Sequence, residues 1–203
     1  KNSYDNFNMN GKKVILCVKP VNLQEVGLRL GGVANELYSV LAGTSIMNLK
    51  ENIKSKFTVR VMPNLCASIG ESMTTMTGDD ELQKEAQELF KSIGQTLWLG
   101  SEKELDIATA VAGSGPAYLA LIHEAFCDGA VKQGMKRVDA IKVTNGLFKG
   151  FGNLIETTHS AILKDGVMSP GGTTAAGYAA LEKGSVRNSC IDAIEKAYQV
   201  TQK

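Results

Sequence analysis

The residues best equipped for chemistry in this sequence are Ser169-Pro170-Gly171-Gly172-Thr173-Thr174. Ser169 reads as an N-cap and Pro170 as the first residue of a helix. The two glycines let a ligand approach backbone N–H groups that a helix's first turn leaves unpaired. No Asp or Glu stands in that turn, so the positive end of the helix dipole is open to an external carboxylate or phosphate, and two threonine hydroxyls add donors. Read without a ligand, the same residues are a capped helix whose glycines allow close packing. Ala112-Gly113-Ser114-Gly115-Pro116-Ala117-Tyr118 repeats the arrangement, a Gly-Ser-Gly-Pro turn entering a helix without early acidic residues. It also reads as a plain turn with a cap. It is not a dinucleotide fingerprint, because a third glycine is missing at the required spacing and the preceding segment reads as helix.

Other reactive side chains lead less far. His123-Glu124 lacks a second histidine one turn on, where Cys127 stands, so a zinc-protease helix is not formed and a helical histidine with a solvated or locally bonded ring is expected. His159 is likewise alone. Lys19, between an apolar run and Pro20, reads equally as a solvated strand-end lysine or as one facing a cofactor. Gly129 and Gly134 suit close helix crossing, and Met73 and Met76 suit gap filling in a core.

These residues need elements to hold them. From Val14 to Trp98, short β-branched runs alternate with amphipathic ones, which predicts βα units around a parallel sheet. Val14–Val18 is apolar throughout, as in a strand covered on both faces. A helix from Asn22 to about Glu36, a strand Leu37–Leu41, a helix Ser45–Ile53 and a strand Phe57–Met62 follow. Asp79-Asp80 opens a helix that Gly94 closes, and Thr96–Leu99 is a last strand. Beyond Gly100 only helical periodicity remains: Ala117–Gly134, one bent helix or two over Val138–Lys164, Thr173–Lys183 and Val186–Gln199. The expected architecture is α/β then all-α, with domains 1–99 and 100–203. In parallel α/β sheets ligands bind outside the carboxyl ends of strands. Val18-Lys19-Pro20, Ala42-Gly43-Thr44 and Met62-Pro63-Asn64 are three such ends and should share one edge.

Composition narrows the partners. The 203 residues carry 22 basic and 21 acidic side chains, a net charge of +1, so no surface is committed to nucleic acid or an anionic membrane. The uncharged stretches Ile107–Ile122 and Gly166–Leu181 fall short of the roughly 18 apolar residues of a membrane span. Cys17, Cys66, Cys127 and Cys190 are too scattered for a disulfide framework or a zinc module, and read as reduced thiols in a cytosolic protein. Lys1 rather than methionine opens the chain. The polar lead with Asn2, Asn6, Asn8 and Asn10 has no signal-peptide pattern, so the native start is expected to be removed or missing.

Taken together, Val18-Lys19-Pro20, Met62-Pro63-Asn64, Gly113-Ser114-Gly115-Pro116-Ala117-Tyr118 and Asp165 through Thr174, in this order and spacing, resemble pyrroline-5-carboxylate reductases from about Val14 onward. The resemblance implies hydride transfer from NADPH or NADH to the C=N carbon of 1-pyrroline-5-carboxylate, giving L-proline, the last step of proline biosynthesis, in the cytoplasm. It implies a Rossmann domain and a helical domain that interlocks with a partner's copy, often in dimers that assemble further. Carried over, Val18, Lys19 and Pro20 pass near the nicotinamide end of the cofactor with Ala42 and Gly43, and Met62 and Asn64 border that pocket. Ser169, Gly171, Gly172, Thr173 and Thr174 hold the substrate carboxylate, with Val167 beside the ring. Thr174 is the implied catalytic residue, bonded to the imine nitrogen. No metal is implied. Two departures stand out. The family's first βαβ unit has no counterpart here, so a fragment that binds cofactor poorly and is inactive alone is expected. Leu65-Cys66 replaces the usual Thr-Pro after Asn64.

Two other readings compete. A β-hydroxyacid dehydrogenase places a catalytic lysine four residues after the last glycine of its Gly-rich turn and an asparagine four later; Leu119 and His123 occupy those positions, and without that lysine the alcohol oxidation has no obvious acid/base group. A non-catalytic helical dimerisation scaffold accounts for the packing glycines but not for the ligand-ready helix starts.

Overall fold

The computed structural model describes residues 7–202. Lys1, Asn2 and Asn6 of the polar lead lie outside the described residues. Phe7–Asn8 (β1) and Lys13–Leu16 (β2) are followed by a tight turn at Pro20–Asn22, helix α1 (Leu23–Arg29), Leu30–Gly31 (β3) and Ala34–Ser39 (β4). Helix α2 (Ile46–Asn52) leads to β5 (Ser55–Met62), β6 (Ser72–Gly78), α3 (Gln83–Phe90) and β7 (Gly94–Trp98). Then come α4 (Glu102–Ala108), a π turn (Thr109–Gly113), α5 (Gly115–Lys132), α6 (Arg137–Ile155), α7 (Ser160–Val167), α8 (Thr173–Lys183) and α9 (Val186–Thr201). The described chain falls into two compact units, one within Lys1–Pro116 with Ile194–Lys203 and the other Ala117–Ala193.

In the first unit five strands form one sheet in the order β2-β4-β5-β6-β7, and β1 pairs with β3. β2, β4 and β5 are parallel; β6 turns back antiparallel to β5, and β7 runs parallel to β6. Side chains alternate across the sheet as the pleat requires. Leu37 joins Leu23, Val26 and Leu49 on the α1/α2 side, while its neighbour Tyr38 joins Val59, Val61, Met76, Ala86 and Phe90 on the α3 side. Tyr38 meets the Phe90 ring edge-on. Burial, then the hydrogen bond to Glu36 and its charge, holds the Tyr38 phenol above its ordinary pKa.

Several sequence expectations are corrected. The helix expected to run to Glu36 stops at Arg29: Gly32 takes φ +79°, a Cβ there would strike the side chains of Asn8 and Asn10, and the chain re-enters the sheet at Ala34. β2 is not covered on both faces. It lies at the sheet edge and leaves Ile15 48% exposed. Ser72–Gly78, read only as a source of core methionines, is a strand, and its Met76 is fully buried. The sheet is therefore parallel with an antiparallel turn-back. Pro170 does not begin a helix; α8 starts at Thr173 with Gly172 as its cap residue.

Gly113 to Tyr118 does enter a helix as expected: α5 opens at Gly115, with Pro116 in its first turn. Ser114 N–H donates to the Thr109 carbonyl at 3.1 Å, five residues back, and α4, the π turn and α5 run on as one helical stretch, Glu102–Lys132. By length and composition that stretch is apolar enough to cross a membrane, which its uncharged part alone was not.

In the second unit Cys127, Ala140 and Thr144 are buried, whereas Leu121, Val138, Leu147, Phe151 and Leu154 stand open. His123 binds across to the next helix rather than locally: Nε2 lies 2.8 Å from Asn145 Oδ1 and the ring meets Phe148 edge-on. Arg187 hydrogen-bonds Glu182 and holds that carboxyl below its ordinary pKa, with Tyr178 adding to the effect.

Candidate active site

The carboxyl ends of β2, β4 and β5 lie side by side because the three strands are parallel neighbours, with Leu16 opposite Ser39 and Ser39 opposite Arg60. Beyond them come Val18-Lys19-Pro20, Ala42-Gly43-Thr44 and Met62-Pro63-Asn64. The topology thus brings Val18, Lys19, Pro20, Ala42, Gly43, Met62 and Asn64 to one sheet edge. Lys19, Pro20, Ala42 and Gly43 are exposed, Val18 and Asn64 are half-buried, and Met62 is buried. Lys19 precedes the Pro20–Asn22 turn, and its carbonyl accepts from Asn22 N–H at 2.9 Å. Gly43 has φ +62°, a conformation that suits glycine.

Asn64 is more engaged than the sequence suggested. Its Oδ1 accepts from Cys66 N–H at 3.0 Å, capping the short 3-10 helix Leu65–Ile69, and its Nδ2 donates to the Ala112 carbonyl at 3.0 Å. The Leu65-Cys66 replacement is thereby accommodated in a capped turn, with Cys66 half-buried. The amide holds the loop after β5 against the π turn.

Val167, Ser169, Gly171, Gly172, Thr173 and Thr174 form a second cluster, within the other unit. Ser169-Pro170-Gly171-Gly172 is a type II turn: Gly172 N–H donates to the Ser169 carbonyl at 2.9 Å, and Gly171 has φ +70° at the position that demands glycine. A Cβ on Gly172 would sit 2.4 Å from Ser169 Oγ. The turn alone therefore explains both glycines. What points to a ligand is the helix start itself. No side chain caps α8, no acid stands in its first turn, and Thr173 and Thr174 are exposed. An oxyanion is the group that such N–H and hydroxyl donors suit.

One feature was missed in the sequence. Arg60, flanked by Val59 and Val61, is 2% exposed and bonds Glu102 at 3.0 Å and Asp106 at 2.7 Å. A charged residue inside an apolar strand was the available signal, since a buried guanidinium demands acidic partners. The described residues hold no group of three or more His, Cys, Asp or Glu able to bind a metal.

Sheet followed by helices, with parallel strand ends sharing one edge, defines a Rossmann-type α/β protein with a helical second half. Residues 102–203 match the family described as "Pyrroline-5-carboxylate reductase dimerisation". A pyrroline-5-carboxylate reductase from Synechocystis is 39% identical over 93% of this chain and 73% of its own. One from Thermus thermophilus is 34% identical over 92% of this chain and 73% of its own. The crystal structure of the Streptococcus pyogenes enzyme superposes with a TM-score of 0.87 at 32% identity, covering 94% of this chain and 76% of that one. The Plasmodium falciparum enzyme, solved with NADP bound, gives 0.85 at 29% identity over the same shares. The chain belongs to the pyrroline-5-carboxylate reductase family.

Proposed function

We propose that this protein reduces 1-pyrroline-5-carboxylate to L-proline with NADPH or NADH, the last step of proline biosynthesis, as a homodimer in the cytoplasm. The observation that carries the reading is the uncapped, acid-free start of α8 in a chain of this family. The exposed strand-end backbone at Lys19, Pro20, Ala42 and Gly43 fits the nicotinamide end of a dinucleotide, with Val18, Met62 and Asn64 beside it. When bound, the cofactor supplies the hydride. The chain's own residues supply the rest. The N–H groups of α8 with Ser169, Gly171, Gly172 and Thr173 orient the substrate carboxylate, Val167 excludes water from the ring, and the Thr174 hydroxyl bonds the imine nitrogen. A helix terminus offers donors already aligned, so little reorganisation opposes reaction. A protonated imine needs no acid/base dyad.

Apolar side chains open on α5 and α6 support pairing with a second copy through the helical half, and dimers assembling further remain part of the proposal. So does a division into a cofactor domain, 1–99, and a helical substrate and dimer domain, 100–203. Nearly balanced charge argues against nucleic acid and anionic membrane as partners. The test is oxidation of NADPH and of NADH by the full chain with and without 1-pyrroline-5-carboxylate. Protein that binds NADPH is expected to oxidise it with substrate and yield proline; a folded protein that binds NADPH yet makes no proline overturns the reading.

A further inference from the structure

The loop Ala42–Ser45 is bounded by elements that converge on one buried guanidinium. Arg60 lies on the sheet face opposite Tyr38 and Val59, in a polar cross-strand row with Ser39 and Thr77. Its Nη1 reaches Glu102 Oε1 at 3.0 Å and its Nη2 reaches Asp106 Oδ1 at 2.7 Å, both on α4. The same Glu102 oxygen accepts the Ile46 N–H at 2.8 Å, at the first residue of α2, directly after the loop. The other Asp106 oxygen accepts from Gln202 Nε2 at 3.3 Å. One residue earlier, the Thr201 backbone packs on Gly43, whose Cβ would lie 3.5 Å from the Thr201 carbonyl oxygen.

This is not an arrangement that folding alone favours. Buried ion pairs are often no more stable than apolar groups of the same shape, and here Arg60 Nε is buried with no partner. What the pair network provides is geometry: planar, forked donors fix where two carboxylates stand, and those carboxylates fix the start of α2 and the end of α9.

We infer that Arg60 is a positioning residue for the cofactor loop, setting Ala42 and Gly43 through Glu102 to Ile46 and through Asp106 to the end of α9. The inference rests on the proposed use of that loop. Its consequence is a split between cofactor affinity and chemistry, because Arg60 is 2% exposed and its guanidinium is engaged by the two acids of α4.

The test uses Arg60→Met and Gln202→Ala in the full chain, with circular dichroism for folding, calorimetric titration with NADPH for binding and steady-state kinetics for turnover. Arg60→Met should weaken NADPH binding and raise the cofactor KM about tenfold, leaving kcat and the substrate KM within about twofold. Gln202→Ala, at the exposed end of the network, should shift the same two quantities about twofold. Unchanged NADPH affinity in a folded Arg60→Met protein overturns the inference, as does a parallel change in kcat and both KM values. If Arg60→Met does not fold, unchanged affinity in Gln202→Ala overturns it. Wild-type protein that binds NADPH but makes no proline sinks the functional reading, while the titration still decides the role of Arg60.

Discussion

Asn64 Nδ2 donates to the Ala112 carbonyl at 3.0 Å across 48 residues of sequence, and Pro116 explains why that oxygen is on offer. Proline lacks the N–H that would reach the carbonyl four residues back in an α-helix. The interruption that ends regular helix at the π turn thus creates the acceptor that the loop after β5 uses to hold it.

Asn64→Ala should therefore cost about 1–3 kcal/mol of stability in urea denaturation, since it strips partners from the Ala112 carbonyl and the Cys66 N–H together. In a Pro116→Ala background, where position 116 regains an N–H, the cost should shrink. Equal costs in the two backgrounds would contradict the coupling.

Thr174→Ala should lower kcat about 100-fold, the scale of losing one aligned donor, with the dimer intact by sedimentation. Thr174→Ser should keep most of the activity. Unchanged turnover in the alanine variant removes the threonine from the mechanism.

Gly94 and Gly70 both have positive φ, +139° and +76°, yet only one is crowded: a Cβ on Gly94 would lie 2.2 Å from the Ser72 carbonyl oxygen, whereas nothing lies within 4 Å at Gly70. Gly70→Ala should cost about 1–2 kcal/mol of backbone strain. Gly94→Ala must also push β7 off β6 and should cost about 3 kcal/mol or more. Similar melting temperatures for the two variants would refute the close strand approach.

Leu147 is 52% exposed on α6, among other open apolar side chains. Leu147→Glu should convert dimers to monomers in analytical ultracentrifugation, with far-ultraviolet dichroism unchanged. A persisting dimer would place the interface elsewhere.

How much of this was legible varied with the range of the interactions. The helical run Thr173–Lys183 of α8 was readable because Gly172 and Gly184 flank a continuous helical pattern. The shared edge of Lys19, Gly43 and Asn64 followed from three successive strand ends. Strand β6 escaped because Ser72-Met73-Thr74-Thr75-Met76-Thr77 lacks a clean apolar alternation, its Ser and Thr side chains being buried along with Met76. The α8 cap was misplaced because Ser169 resembles an N-cap yet serves as the first corner of a turn. Arg60 escaped for a different reason. Its partners stand 42 and 46 residues away, and no local spacing reports such a pairing.

The Gln202 bond to Asp106 spans 96 residues, and it has a consequence for the newborn polypeptide. Vectorial synthesis delivers the sheet of the first unit to the folding environment long before its last partner emerges. At about 5–20 residues per second, the ribosome leaves Gly43 waiting on the order of ten seconds for Thr201. During that interval Asp106 of α4 lacks its last hydrogen-bond donor.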